Sequence, residues 1–270
     1  MVHSERQLSE AVLLEAPGLI SWAMQTFGAR FAIACSFQKE GMSILDMAWR
    51  IDRQVRVFTL DTGRLPVETQ RMMELVRQRY GIEIEVVRPD ETEVAEMVAA
   101  HGRDLFHDRV ELRCLCCSVR KVRPLERKLR EVDAWAAGLR REQSTDRAAT
   151  LKLELRNGVL KINPIADWTS AQLEDYILRY DVPVHPLYAR GFASIGCEPC
   201  TRALLPGESG RDGRWWWEKE TSKECGIHIT SAGAVLRGNP SAAIQGASLC
   251  TRQPAAVPAN SRRETRDSAG

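Results

Sequence analysis

FAIACSFQKEGMSILDMAWRIDRQVRVFTL, residues 31–60, is the stretch whose reading decides the architecture. FAIACS (31–36) is a short apolar run bounded by polar residues, QKEG follows, and MSILDMAWRI then spaces its apolar side chains at the helical period. VRVFTL (55–60) starts the pattern again. It ends in DTGRLP, and an amphipathic helix runs on through Tyr80. IEIEVV (82–87) is a third strand, stopped by Pro89 and followed by a helix to about Ala100. Three strand–helix alternations in a row predict an α/β fold, a parallel sheet flanked by helices, with ligands received at the carboxyl ends of the strands. The loops Ser36–Gly41 and Asp61–Leu65 sit at those ends. Neither a G-x-x-x-x-G-K-[ST] loop nor a G-x-G-x-x-G turn occurs, which argues against a standard P-loop or dinucleotide fold. Ser36, at a strand-to-helix turn, reads either as a phosphate contact or as a helix N-cap.

Outward from this core, residues 7–27 read as a leading helix bent or broken at Pro17. His101–Arg113 is polar and irregular. From Cys114 to Arg130 the spacing is helical again, which puts Cys116, Arg120 and Arg123 near one face and Cys117 with Lys121 on the next. AWAAGL (134–139) is a fourth strand leading into the arginine-bearing loop RREQSTDR. LKLEL and VLKI flank Arg156-Asn157-Gly158 as a hairpin, and a Thr or Ser cap starts a helix that ends at Tyr180. His185, in a proline- and glycine-punctuated loop, reads as structural. Trp215, Trp216 and Trp217 read as anchors of a loop to the core. After about Ser231 the composition turns to Ala, Ser, Pro, Gly and Arg, so 231–270 is expected to be a disordered tail on a single domain spanning 1–230.

With 44% hydrophobic and 27% charged residues in a chain of 270, composition suits one soluble domain, and no apolar run approaches a bilayer span. A start without a secretory pattern leads to an expectation of a cytoplasmic protein, and eight cysteines there are reduced ligands and nucleophiles rather than disulfides. A net charge of +2 gives no general case for nucleic-acid or membrane binding. The positive charge is local. Arg120, Lys121, Arg140, Arg141, Arg147, Arg202, Arg211 and Arg214 crowd the cysteine-bearing segments, where a polyanionic ligand needs them. Arg127 and Lys128 read first as a solvated helix face.

The cysteines carry the chemistry. Cys197 and Cys200 form a C-x-x-C turn that holds half of a metal site, and the other half must come from Cys114, Cys116 and Cys117 in ELRCLCCSVRK. On spacing alone, zinc between the pairs Cys114/Cys117 and Cys197/Cys200 stays open. The adjacent pair Cys116-Cys117 suits an iron–sulfur cube better, because a cube offers each sulfur its own corner. Cys225, in KECGIH, is left over, with Lys223 and His228 close by to favour its thiolate.

Cys116-Cys117 followed by SVRKVRPL, then GLRREQS (138–144), IGCEPCTR, GRWWWE and KECGIH, in that order, resembles the iron–sulfur-containing adenylyl-sulfate (APS) reductases of sulfate assimilation, over about residues 30–230. The resemblance implies the adenine-nucleotide alpha-hydrolase-like fold, with SFQKEG as its altered pyrophosphate loop, and one [4Fe-4S] cluster per chain on Cys116, Cys117, Cys197 and Cys200. It implies Cys225 as the nucleophile, in a catalytic segment around 215–230. Ser36, Leu60, Lys121, Gly138, Arg147, Arg211, Arg214 and His228 are implied to bind adenosine 5'-phosphosulfate, with thioredoxin or glutaredoxin as electron donor and a homo-oligomer left open. The tail beyond the ECG-x-H motif departs from the family pattern. Two rival readings are a reductase of the 3'-phosphorylated nucleotide (PAPS), which lacks the two cysteine pairs, and a zinc-stapled nucleotide-binding protein without reductase activity.

Overall fold

A computed structural model describes residues 5–218. Cys225, His228 and the 231–270 tail lie outside the described residues. The chain builds a six-stranded sheet in the order β3-β2-β1-β4-β6-β5. β1 (Phe31–Ala34), β2 (Val57–Leu60), β3 (Ile84–Val87), β4 (Ala134–Ala136) and β6 (Val159–Ile162) run parallel; β5 (Leu153–Arg156) is antiparallel to β6 at the edge. The hairpin turn between β5 and β6 falls on Asn157 and Gly158, with φ of 49° and 81°, the left-handed pair that a two-residue hairpin needs.

Residues of period two go to opposite faces of the strands. Phe31 and Ile33 join Val57, Ile84 and Ile162 in a core completed by Leu19, Ile20, Met42, Leu45, Val76, Leu173 and Ile177. These come from α2 (Ala16–Phe27), α3 (Lys39–Ile51), α4 (Val67–Tyr80) and α8 (Ser170–Tyr180). Each fully buried Leu, Ile or Met contributes about 1.5–3 kcal/mol. On the other face Ala32, Phe58 and Trp135 pack with Leu125 of α7 (Arg123–Leu129) and Val132. No helix among the described residues is long and apolar enough to cross a membrane.

Several local expectations need correction. The leading segment is two helices, α1 (Glu5–Val12) and α2, and Pro17 lies in the first turn of α2, where its missing N–H costs nothing, not at a bend. The helix expected from Cys114 begins at Val110 as α6 (Val110–Cys117), and it passes through a π-helical stretch, Ser118–Val122, before α7. The wider turn there breaks the assumption of 3.6 residues per turn. Lys128 is not on a solvated face: its side chain is 2% exposed, and its ammonium meets Glu85 and Glu131, both at 2.6 Å. Ser36 is not an N-cap either. Gln38 occupies that position on α3 without a side-chain cap bond.

A second buried lysine makes a prediction. Lys161, fully buried on β6, stands 3.6 Å from Glu154 and over the Trp135 ring. Burial pushes its ammonium down from 10.5 to about 8. Between those two values the unfolded chain binds more protons than the folded one, so this group makes stability rise with pH across that window. Denaturant unfolding on either side of pH 8 should show the rise, and Lys161→Met should flatten it; an unchanged slope in the variant would rule Lys161 out as its source.

Candidate functional site

Two cavities adjoin at the carboxyl edge of the sheet. The larger, of about 330 Å³, opens over the ends of β1, β2 and β4. Phe58, Leu60, Leu125 and Trp135 give it an apolar wall. The loop after β1 forms another wall through a local contortion: Phe37 takes a left-handed φ of 58° and is fully buried. Turning Phe37 into the core leaves Ser36 exposed at the cavity, where Gln38 Nε2 donates to its hydroxyl. A non-glycine residue in this conformation marks a backbone held by its surroundings. Gly138, after β4, closes against the same loop: a Cβ there would lie 2.8 Å from Glu40 Cβ and 2.9 Å from Gly41 N, so only glycine allows the approach.

The remaining wall is cationic. Lys121, Arg140, Arg147, Arg211 and Arg214 all line the cavity. Arg140 is matched by Glu40, at 3.2 Å. Arg147 Nη1 donates to Gln143 Oε1, and Gln143 Nε2 donates to the carbonyl of Gly138. Arg211 Nη1 donates to Ser194 Oγ, and Arg214 Nε to the carbonyl of Cys200. Of the eight residues expected at a nucleotide site, seven (Ser36, Leu60, Lys121, Gly138, Arg147, Arg211, Arg214) therefore line one cavity; His228 lies outside the described residues.

The second cavity is small, and Cys116, Cys117, Cys197 and Cys200 line it together with Arg64, Arg113, Arg120, Lys121 and Pro199. Cys114 is buried but is not part of that lining. The four thiols are buried, which pushes Cys116 up and Cys200 up to about 12; neighbouring thiols add to the rise, while Arg120 beside Cys116 and Lys121 beside Cys200 oppose it. Four thiolates cannot share this space without a metal centre to offset their repulsion. Among the described residues no three His, Cys, Asp or Glu side chains converge as ligands of a single ion. Four buried thiols beside cationic side chains suit an anionic cube, which offers each sulfur its own corner, and the same four thiols also meet the ligand count of zinc. Arg113 Nη1 and Arg120 Nε are buried in residues of this lining without a hydrogen-bond partner among the described residues, donors suited to sulfur atoms of an anionic group. The residues present thus fit an iron–sulfur cluster.

Two residues that hold the cavities together went unread in the sequence. Thr62 Oγ1 lies 3.2 Å from Cys197 Sγ, and its carbonyl accepts from Arg120 Nη1. Arg64 has its carbonyl on Glu198 N–H and its guanidinium on Arg103 O and Asp104. Both belong to the DTGRL loop, whose place at the strand ends was the available signal. His185 is structural as expected: Nδ1 accepts from Leu187 N–H and Nε2 lies 3.1 Å from Thr69 Oγ1. The tryptophans differ among themselves, Trp215 fully buried and Trp216 39% exposed.

Residues 30–203 match the sequence profile of the phosphoadenosine phosphosulfate reductase domain. An adenosine 5'-phosphosulfate reductase of Burkholderia cepacia is 53% identical over 66% of this chain and 72% of its own length. One from Pseudomonas aeruginosa is 42% identical over 78% and 80%. Among solved structures, a phosphoadenylyl-sulfate reductase from Candida auris superposes with a TM-score of 0.63 at 26% identity, covering 74% of this chain and 98% of that one. A yeast FAD synthetase, at 13% identity and a TM-score of 0.51, shares the fold alone. A largely parallel sheet with a basic cavity at its carboxyl edge and a match over residues 30–203 lead to one conclusion: the chain belongs to the phosphoadenosine phosphosulfate reductase family.

Proposed function

We propose that this protein reduces adenosine 5'-phosphosulfate to sulfite and AMP in assimilatory sulfate reduction, with Cys225 as nucleophile. The observation that carries the reading is that Lys121, Arg147, Arg211 and Arg214 line one cavity, and Lys121 also lines the cavity of the four cysteines. Relatives named as reductases of this nucleotide support it. The Cys225 thiolate attacks the sulfonyl sulfur, an S–S bond forms, and the S–O bond breaks with its electron pair leaving on AMP. A thiol of thioredoxin or glutaredoxin then attacks Cys225 Sγ and expels sulfite, and its second thiol closes the donor disulfide and frees Cys225. The dithiol supplies both electrons. Cys35 also lines the cavity, but burial pushes its thiol up to about 12, which disqualifies it as a nucleophile near neutral pH.

Cys116, Cys117, Cys197 and Cys200 hold one [4Fe-4S] cluster in this reading. When bound, it supplies a rigid strut and a fixed negative charge, and with every iron ligated by thiolate it has no open site for substrate. Incubation of the cluster-loaded protein with isotopically labelled APS, followed by intact-mass measurement, should find one SO3 on Cys225. Sulfite release with APS and PAPS in competition should favour APS, and absence of the adduct would defeat the reading.

Gly196→Ala tests the cationic wall. A Cβ at Gly196 would overlap the Arg214 guanidinium, which must then leave its present position on the cavity wall. Displacing one charge-assisted contact should raise KM for APS by about tenfold or more, at about 1.5–3 kcal/mol per such bond, with iron content unchanged. Steady-state kinetics on the variant would check this; an unaltered KM would remove Arg214 from the binding site.

A further inference from the structure

The segment that leads to Cys225 is fastened to the cysteine cavity by a buried ion pair with no role in the chemistry above. Arg113, on α6 three residues before Cys116, has a side chain 2% exposed; its Nε donates to Glu218 Oε1 at 2.6 Å, and that carboxylate is 5% exposed. The Arg113 guanidinium also lies 4.4 Å from the centre of the Trp215 ring, which is fully buried between it and Arg214, at 4.7 Å. Trp215 takes a left-handed φ of 41°, its N–H donates to the Cys200 carbonyl, and Glu218 N–H donates to the Trp215 carbonyl. Arg113 Nη1 is buried without a hydrogen-bond partner among the described residues, and Arg113 lines the four-cysteine cavity.

Resting on the function proposed above, we infer that Arg113 and Glu218 are positioning residues: the pair fixes the origin of the catalytic segment against the cluster cavity. Glu218 stands seven residues before Cys225, and seven extended residues span at most about 25 Å, so where Glu218 is held decides which points Cys225 can reach. Removing the carboxylate leaves the Arg113 charge buried and unpaired, an arrangement the fold avoids by releasing residues 215–218. Released, the segment presents Cys225 from a longer tether, and the Trp215 ring no longer backs Arg214. Small errors in placing a reacting group cost large factors in rate.

The test uses the cluster-loaded full chain with Glu218→Gln and Glu218→Asp. Trypsin should cut after Lys219 several-fold faster in Glu218→Gln than in the wild type, with iron content and visible absorbance unchanged. Single-turnover sulfonation of Cys225 at saturating APS should slow about tenfold, and Glu218→Asp should recover most of that rate. Arg113→Gln should shift the cluster's midpoint potential to more negative values, because a cation beside the reduced, more negative state is lost. Wild-type cleavage and sulfonation rates in Glu218→Gln would overturn the inference, and so would a rate loss that only tracks loss of iron. Wild-type protein that takes no sulfonate would defeat the proposed function instead; the cleavage rates and the potential still decide the role of the pair.

Discussion

Cys225→Ser is expected to bind APS, keep its iron and visible absorbance, and release no sulfite, a loss of at least about 10³-fold in kcat. The charge problem explains why the effect is so large. Nucleophile and substrate are both anionic, and two like charges about 4 Å apart repel by about 4 kcal/mol at an effective dielectric of 20. Lys121, Arg147, Arg211 and Arg214, on the wall of the nucleotide cavity, offset that repulsion for whatever anion is brought in. Serine at position 225 brings none near neutral pH. Its hydroxyl is a hard, weak nucleophile, and if it did take the sulfonyl group, the resulting sulfate ester has no divalent sulfur at which the donor thiol could form a disulfide and expel sulfite. Both half-reactions therefore fail at one atom. Sulfite assay, intact mass with labelled APS and absorbance spectra on the same sample check this; substantial sulfite release by the variant would remove Cys225 from the mechanism.

The fold and the nucleotide cavity were legible because they depend on local patterns. Short apolar runs such as FAIA and VFTL, set between helical patterns, point to the parallel arrangement seen in β1, β2 and β3. Asn157-Gly158 specified its hairpin, and Thr169 its helix through a capping box with Gln172. What stayed unread depends on contacts between distant segments. Nothing local in Lys128 tells that Glu85, 43 residues away, draws its ammonium inside. Nothing in VELRCLCC tells that Arg113 meets a carboxylate 105 residues later. The π-helical stretch at Ser118–Val122 escaped for another reason: its sequence is an ordinary helix pattern, and its long-range contact, Arg120 Nη1 on the Thr62 carbonyl, leaves no local mark.

Cys197→Ser is expected to lose what Cys225→Ser keeps, and activity as well. The prediction follows from how much hangs on the turn Cys197–Cys200 besides the sulfurs. Cys197 Sγ faces Thr62 Oγ1, Glu198 N–H donates to the Arg64 carbonyl, and the Thr201 hydroxyl donates to the Cys197 carbonyl, so the turn is pinned to the loop after β2. The Cys200 carbonyl in turn accepts from Arg214 Nε and Trp215 N–H, which places the nucleotide cavity's basic wall and the start of the segment toward Cys225 on the same turn. A four-thiolate cluster contributes its binding free energy to this arrangement, several kcal/mol by analogy with structural metal sites. Serine is a poor ligand for iron, and three remaining thiols leave one corner of the cube open to water and oxidants. Loss of the cluster would leave Cys116, Cys117 and Cys200 as buried thiols around an unfilled space, with Arg120 and Lys121 deprived of the anion they face. The variant should thus be colourless, carry little iron, unfold at lower temperature and release no sulfite, as iron analysis, absorbance and thermal melting would record. A colourless wild type carrying one zinc per chain would instead favour the zinc-stapled alternative. A Cys197→Ser protein with full iron, colour and Tm would show that the four cysteines are not the cluster's ligands, and the coupling of cluster, Arg214 and catalytic segment through this turn would fall with it.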